Sequence, residues 1–243
     1  MWGLDFLGYG RSPRRPLIDG PALGLAALPE GQAAIALPQL RLAINHIRSV
    51  NGGQPVDLIA HSWGTIPALQ FAAHHANQVG KLVLFGAIAP RKLNLTVPAM
   101  GGTRILSVWE QYRRFIEDVP KGQPQVLSDQ NMQEWVTAHL QTPRGAAPGV
   151  VPSVVTPNGP LIDIMETWSD KPVYDLAQVQ SPTLLVRGEW DSVSSEADTA
   201  VLMQALGSTK KRNLTIPKAT HLMHLEFART TLYLAVNTFL GEP

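Results

Sequence analysis

The chain has 243 residues, of which 44% are hydrophobic and 16% charged, so it can bury one large core with room for a subdomain. A net charge of +1, with basic runs no longer than Arg11 to Arg15 and Lys210 to Arg212, excludes a dedicated nucleic-acid binder; those runs read as solvated loops. No cysteine means no disulfide framework and no thiolate metal site, which fits a cytoplasmic protein, and no apolar stretch approaches the about 20 residues of a membrane span.

Strand-type runs at residues 2 to 7, 56 to 60, 81 to 86, 183 to 188 and 213 to 216 alternate with helical stretches, the pattern of a parallel sheet covered by helices. Met1 to Asp5 lacks the charged and apolar regions of a signal peptide. The second run ends abruptly at Ala60-His-Ser62-Trp-Gly64, a serine with small residues two before and two after it. This is the spacing of a nucleophile elbow, in which the serine occupies a strained turn between strand and helix and larger flanking side chains are expected to collide. The plainer reading is a serine that caps a helix. From Thr65 onward the sequence reads as that helix, with Ile66, Leu69 and Ala73 on one face and Pro67 tolerable only near its start.

Between Arg91 and Asp175 the alternation breaks. Amphipathic, helix-like pieces at Ile105 to Phe115 and Asn131 to Leu140 are separated by Pro/Gly-rich segments, of which Pro143 to Pro160 is the longest. The strand at 183 to 188 then leads into Glu189-Trp-Asp191, and the strand at 213 to 216 into His221-Leu-Met-His224-Leu-Glu226. A serine hydroxyl needs a histidine to take its proton, and that imidazole needs a carboxylate to fix its tautomer. Ser62, Asp191 and His221 each follow a strand and are the candidates for these roles. Each has a rival: Asp191 could cap the helix around Ser195 to Leu206 and leave Glu189 as the acid, and His224 could replace His221. His61 reads as a packed or hydrogen-bonded core histidine, and His46, His74, His75 and His139 as helix residues. No histidine or carboxylate cluster has metal-ligand spacing, and no metal or organic cofactor is expected.

The chain order serine, aspartate, histidine, the elbow at Ala60 to Gly64, and three further segments resemble the α/β-hydrolase superfamily of serine esterases, lipases and proline iminopeptidases over nearly the whole length. Those segments are Leu4 to Ser12, similar to the family's loop after its fourth strand, Arg187 to Asp191, similar to its acid loop, and His221 to Glu226, similar to its His-x-x-x-x-Glu ending. The resemblance implies an α/β fold, a mostly parallel sheet flanked by helices. It divides the chain into a core of residues 1–91 and 176–243 and a helical cap of 92–175, with Trp109, Tyr112, Trp135 and Trp168 as candidate substrate-binding residues. It implies Ser62, Asp191 and His221 as catalytic residues, the Trp63 N–H as an oxyanion donor, and a small-molecule ester or amide as substrate. Peptide-bond cleavage of the proline iminopeptidase type is an alternative, since His61-Ser-Trp-Gly is similar to that group's elbow; an acidic site from Glu110, Glu117, Asp118 or Glu134 would mark it. Carbon–carbon bond hydrolysis and a non-catalytic binding protein are further alternatives. A serine rather than an aspartate at the elbow argues against dehalogenase or epoxide hydrolase chemistry.

Residues 1 to 7 correspond to the family's fourth strand, so its first three have no counterpart, and a gap beside the elbow strand is expected. The loop that supplies the second oxyanion donor would fall before Met1. A start inside a longer reading frame is therefore expected, with poor folding or weak activity, because one lost donor costs roughly 10²- to 10³-fold in turnover.

Overall fold

The computed structural model describes residues 1–13, 29–141 and 151–242. Arg14 and Arg15 of the first basic run, and residues 143–150 of the Pro/Gly-rich stretch, lie outside the described residues.

Six strands and seven α-helices are described. Helix α1 (Ala33–Val50) precedes β1 (Val56–His61), α2 (Thr65–His74) and β2 (Val79–Phe85). After β2 come β3 (Thr103–Ser107), α3 (Val108–Ile116), α4 (Asp129–Leu140), β4 (Ser153–Pro157) and α5 (Gly159–Trp168). The chain closes with β5 (Thr183–Gly188), α6 (Glu196–Ala205), β6 (Lys211–Ile216) and α7 (Arg229–Gly241).

Strands β1, β2, β5 and β6 form one sheet in that order, parallel throughout. Side chains alternate across its plane, as strand geometry requires. Leu82, Leu84 and Leu185 point to one face, into a core shared with Ile44 of α1, Ile66, Leu69 and Phe71 of α2, and Leu202 of α6. Val83, Leu184, Val186 and Ile216 point to the other, against Leu232, Val236 and Phe239 of α7. Burial on both faces explains why β2 and β5 read as continuous apolar runs. The expected mostly parallel sheet flanked by helices is thus observed.

The segment 2 to 7, expected as a strand, is not one. Its backbone instead folds back on itself: the Asp5 carboxylate accepts from Arg11 N at 3.0 Å, Asp5 O accepts from Ser12 Oγ at 2.6 Å, and Leu7 N donates to the Gln39 side chain at 2.8 Å. Its aromatic rings pack edge-on, Trp2 against His46 of α1 and Phe6 against Trp63. Among the described residues β1 is therefore an edge strand. A cleft of about 700 Å³ runs along it, lined by Trp2, Leu4, Ile47, Leu58, Ala60 and Gly64 among others, where the gap was expected.

The helix-like piece Ile105 to Phe115 divides in two. Residues 103–107 pair antiparallel with β4, and α3 starts only after Ser107. The Ser107 side chain accepts from Glu110 N while the Glu110 carboxylate accepts from Ser107 N, a reciprocal cap that fixes where the strand gives way to helix. Helices α3 and α4 and the segment between them set Phe115, Leu127 and Met132 in a third apolar cluster with Leu222.

Candidate active site

Each candidate side chain is delivered by the carboxyl end of a strand. β1 ends at His61, and Ser62 follows at φ +52, in the left-handed region that costs a non-glycine residue about 1–2 kcal/mol. Neighbouring bonds hold this conformation. Thr65 Oγ1 donates to Ser62 O at 2.6 Å and accepts from Ile88 N at 3.1 Å, which ties the turn to the loop after β2. Trp63 is locked by its indole N–H, which donates to the Asp163 carboxylate at 2.7 Å, and by the Tyr9 ring stacked against it. At Gly64, where a small residue is expected for steric reasons, an added Cβ would meet nothing within 4 Å, because Gly64 faces the open cleft along β1.

Asp191 lies three residues beyond β5, and His221 in the turn after β6; both are 5% exposed. His221 Nδ1 lies 2.9 Å from Asp191 Oδ2 and 3.0 Å from Oδ1, and His221 Nε2 lies 2.8 Å from Ser62 Oγ. The carboxylate is oriented from behind, because Asp191 Oδ1 also accepts from Val193 N at 2.9 Å and Ser194 N at 2.8 Å. Three residues separated by up to 159 positions thus form one continuous hydrogen-bonded chain.

The rivals fall elsewhere. Helix α6 is capped by Ser195, which accepts from Asp198 N, and not by Asp191. Glu189 is spent on Lys218 N at 2.8 Å. The contact to Ser62 Oγ is made by His221; the His224 ring lies 4.5 Å from His61 and 5.5 Å from Phe85, and its buried Nδ1 has no partner among the described residues. His61 is half-buried, and its Nε2 lies 2.9 Å from His221 O.

Two further residues support the histidine turn. Glu226 is fully buried, and its carboxylate accepts from Thr220 N at 3.0 Å and from Thr220 Oγ1. Gly86, one residue past β2, has φ +57, and a Cβ there would stand 2.8 Å from His221 Cε1 and 2.9 Å from Nδ1. Only glycine combines that backbone with that closeness.

The candidate substrate residues are dispersed. Trp109 is 63% exposed and stacks on Tyr112. Tyr112 and Trp135 pack on the cluster that contains Leu222, and Trp135 lines a depression of about 260 Å³ with Asn131, Glu134, His224, Leu225 and Arg229. Trp168 lies instead against the main core beneath the Arg91 guanidinium, 4.4 Å from the ring centre.

Burial sets the protonation of the histidines around His221. It holds His61 well below the usual imidazole range and lowers His224 to about 4, with the nearby His221 adding to both effects. A histidine whose folded pKa is depressed is neutral in the fold and charged in the unfolded chain below about pH 6.5, so its contribution is full above that pH and is lost as pH falls toward 4. The His224 shift corresponds to about 3 kcal/mol across that window. Asp163 and Glu226, raised by burial, act with the opposite sign and hold stability on the acid side. Chemical denaturation of His224→Gln between pH 7.5 and 5 should therefore show a shallower loss of stability than the wild type; equal slopes would contradict the assignment.

Among the described residues no helix is long and apolar enough to cross a membrane, and no group of three or more His, Asp or Glu residues could hold a metal ion. No curated protein matches the chain. Solved structures do. The chain is similar to the thioesterase domain from the curacin biosynthetic pathway at 16% identity, covering 96% of this chain and 79% of that one, with a TM-score of 0.59. It is similar to a monoacylglycerol lipase of Paleococcus ferrophilus at 14% identity, covering 97% and 80%, with a TM-score of 0.58. A thermophilic esterase from Thermogutta terrifontis is similar at 17% identity over 97% and 77%, with a TM-score of 0.56. Identities this low establish a shared fold. The sequence itself carries the family, because the model described as "Alpha/beta hydrolase family" matches residues 2–232, through all four strands of the parallel sheet and everything between them. The chain therefore belongs to the alpha/beta hydrolase family, enzymes of the hydrolase type.

Proposed function

We propose that the protein is a serine hydrolase that cleaves an ester of a small, apolar acid through an acyl-enzyme. The observation that carries this reading is the Ser62 Oγ to His221 Nε2 contact of 2.8 Å, with Asp191 on the far side of the same imidazole. His221 Nε2 takes the hydroxyl proton as Ser62 Oγ attacks the carbonyl carbon, and the Trp63 N–H donates to the oxyanion that forms. Collapse of the tetrahedral intermediate breaks the ester bond, and the departing alcohol takes the proton back from His221. Water, deprotonated by the same histidine, then attacks the acyl-Ser62 carbonyl; the bond from the acyl carbon to Oγ breaks, His221 returns the proton to Ser62 Oγ, and the carboxylic acid leaves. Asp191 stays ionised and stabilises the imidazolium in both halves.

Residues 92–175 serve as the cap in this reading. Support comes from the contacts of α3, α4 and the segment between them with the histidine turn: Asn131 Nδ2 donates to Leu225 O at 2.7 Å, Phe227 N to Val126 O at 3.0 Å, and Phe115 and Met132 pack with Leu222. Tyr112 and Trp135, on those helices, are the proposed substrate contacts, with Trp109 at the rim. Trp168, packed against the main core, is not among the proposed contacts.

An ester is favoured over a peptide because the acidic candidates are engaged. Glu110 caps α3, Glu117 and Asp118 pair with Arg114 at 3.2 Å, and Glu134 accepts from Gln130 at 2.9 Å and shares its depression with Arg229. The test is pre-steady-state hydrolysis of p-nitrophenyl acetate and butyrate. A burst of p-nitrophenol equal to the enzyme concentration is expected; steady turnover without a burst, together with faster cleavage of an aminoacyl anilide, would favour the peptidase.

The same reading makes Gly86 a sensitive position. Gly86→Ala should lower kcat by about 10²-fold, because its Cβ moves the imidazole by a sizeable fraction of an ångström. Activity within a few-fold of wild type in a folded Gly86→Ala protein would count against the seating of His221 described above.

A further inference from the structure

We propose that His61 is a positioning residue for His221, fixing the base through a hydrogen bond from its imidazole Nε2–H to the His221 backbone carbonyl. This rests on the reading of Ser62 and His221 as nucleophile and base.

The two atoms are 2.9 Å apart, and a carbonyl oxygen only accepts. The proton of the neutral imidazole must therefore sit on Nε2. Burial keeps His61 neutral, so this tautomer persists at every pH at which the base can work. The consequence is geometric. His61 and Ser62 are adjacent, and both bind the same residue 160 and 159 positions away, one at its main chain and one at its ring. Ser62 and Asp191 hold the His221 ring and Glu226 holds the start of the turn at Thr220, but none of these bonds fixes the main chain of His221 itself. The His61 bond supplies that main-chain anchor and, with the Ser62 bond, closes a short ring between the end of β1 and the turn after β6. The His61 ring is itself fixed, stacked on Phe85 at 4.4 Å and 16°, packed edge-on against His224 at 4.5 Å, and 4.8 Å from the His221 ring. The His61 Nε2–H is given to the His221 carbonyl and the Ser62 Oγ contact is made by His221, so the effect of His61 travels through the position of His221.

The test compares wild type, His61→Phe, His61→Gln and His61→Asn. Phenylalanine keeps the stacking and loses the donor. Glutamine can place an amide N–H where Nε2 stands, and asparagine is too short to do so. Each protein is measured for kcat and KM on p-nitrophenyl acetate, for thermal unfolding, and for the proton resonance of the His221 Nδ1–H bonded to Asp191. His61→Phe and His61→Asn should lower kcat by about 10- to 100-fold, leave KM within about threefold, and shift or broaden that resonance. His61→Gln should recover most of the lost kcat and restore the resonance.

An unchanged kcat and resonance in His61→Phe, or in His61→Asn should the phenylalanine variant not fold, overturns the proposal. So does a His61→Gln protein that folds and is as impaired as the others. Absence of ester turnover in the wild type refutes the ester reading alone. In that case the resonance, which needs no substrate, still decides whether His61 holds His221.

Discussion

Ser62→Ala is expected to lower ester turnover by roughly 10⁶-fold, the scale on which a triad serine acts, without unfolding the protein. The hydroxyl is the one atom that forms the acyl bond, and no cysteine stands anywhere in the chain to replace it. The Thr65 bond to Ser62 O, the Trp63 anchor on Asp163 and the Asp191–His221 pair do not involve the Ser62 side chain and should survive. Alanine inherits the φ +52 backbone and its strain, whereas Ser62→Gly relieves it. The glycine variant should therefore be equally inactive but more stable than the alanine variant by about 1 kcal/mol, read by urea denaturation of the two side by side. Residual turnover within 100-fold of wild type in Ser62→Ala would show that another group makes the attack.

Asp191→Asn should cost about 10⁴-fold in kcat. The environment dictates which way the new amide lies. Val193 N and Ser194 N both donate to the Oδ1 position, so the amide oxygen must sit there and the NH₂ must take the Oδ2 position, facing His221 Nδ1. An NH₂ donor forces Nδ1 to accept and moves the imidazole proton to Nε2, where it points at Ser62 Oγ and cannot accept the serine proton. Size and packing hardly change, so thermal stability should stay near that of the wild type. A loss smaller than about tenfold would mean that another carboxylate supports His221; Glu226, buried beside the same turn, is the group to test next.

The parts of this site that the sequence announces are those with local signatures. Ala60 to Gly64 is legible because a serine between small residues in a fixed spacing follows an apolar strand, although Gly64 itself has open space around it, and Asp191 and His221 because each follows an apolar run at a strand end. What the sequence hides depends on distant partners. Asp163 sits on α5 with nothing around it to mark a role. Only the fold shows that it caps α1 at Ala33 N, 2.7 Å away, and grips the Trp63 indole. His61 reads as a core histidine because its acceptor is 160 residues off. Residues 2 to 7 mislead for the opposite reason: their apolar alternation imitates a strand, yet Trp2 and Phe6 find ring partners in other elements and the backbone closes on Asp5 and Ser12. Ile105 to Phe115 carried a readable signal, Ser107 three residues before Glu110, that marks a helix start in the middle of the piece.

The central claim is that Ser62 is a nucleophile activated by His221. The most direct measurement is treatment of the wild type, Ser62→Ala and His221→Ala with a fluorophosphonate, followed by intact mass and peptide mapping. One adduct per chain is expected in the wild type, on the peptide containing Ser62, with none in Ser62→Ala and labelling slowed by orders of magnitude in His221→Ala. A folded wild-type protein that takes up no label, or takes it up at another residue, would contradict it.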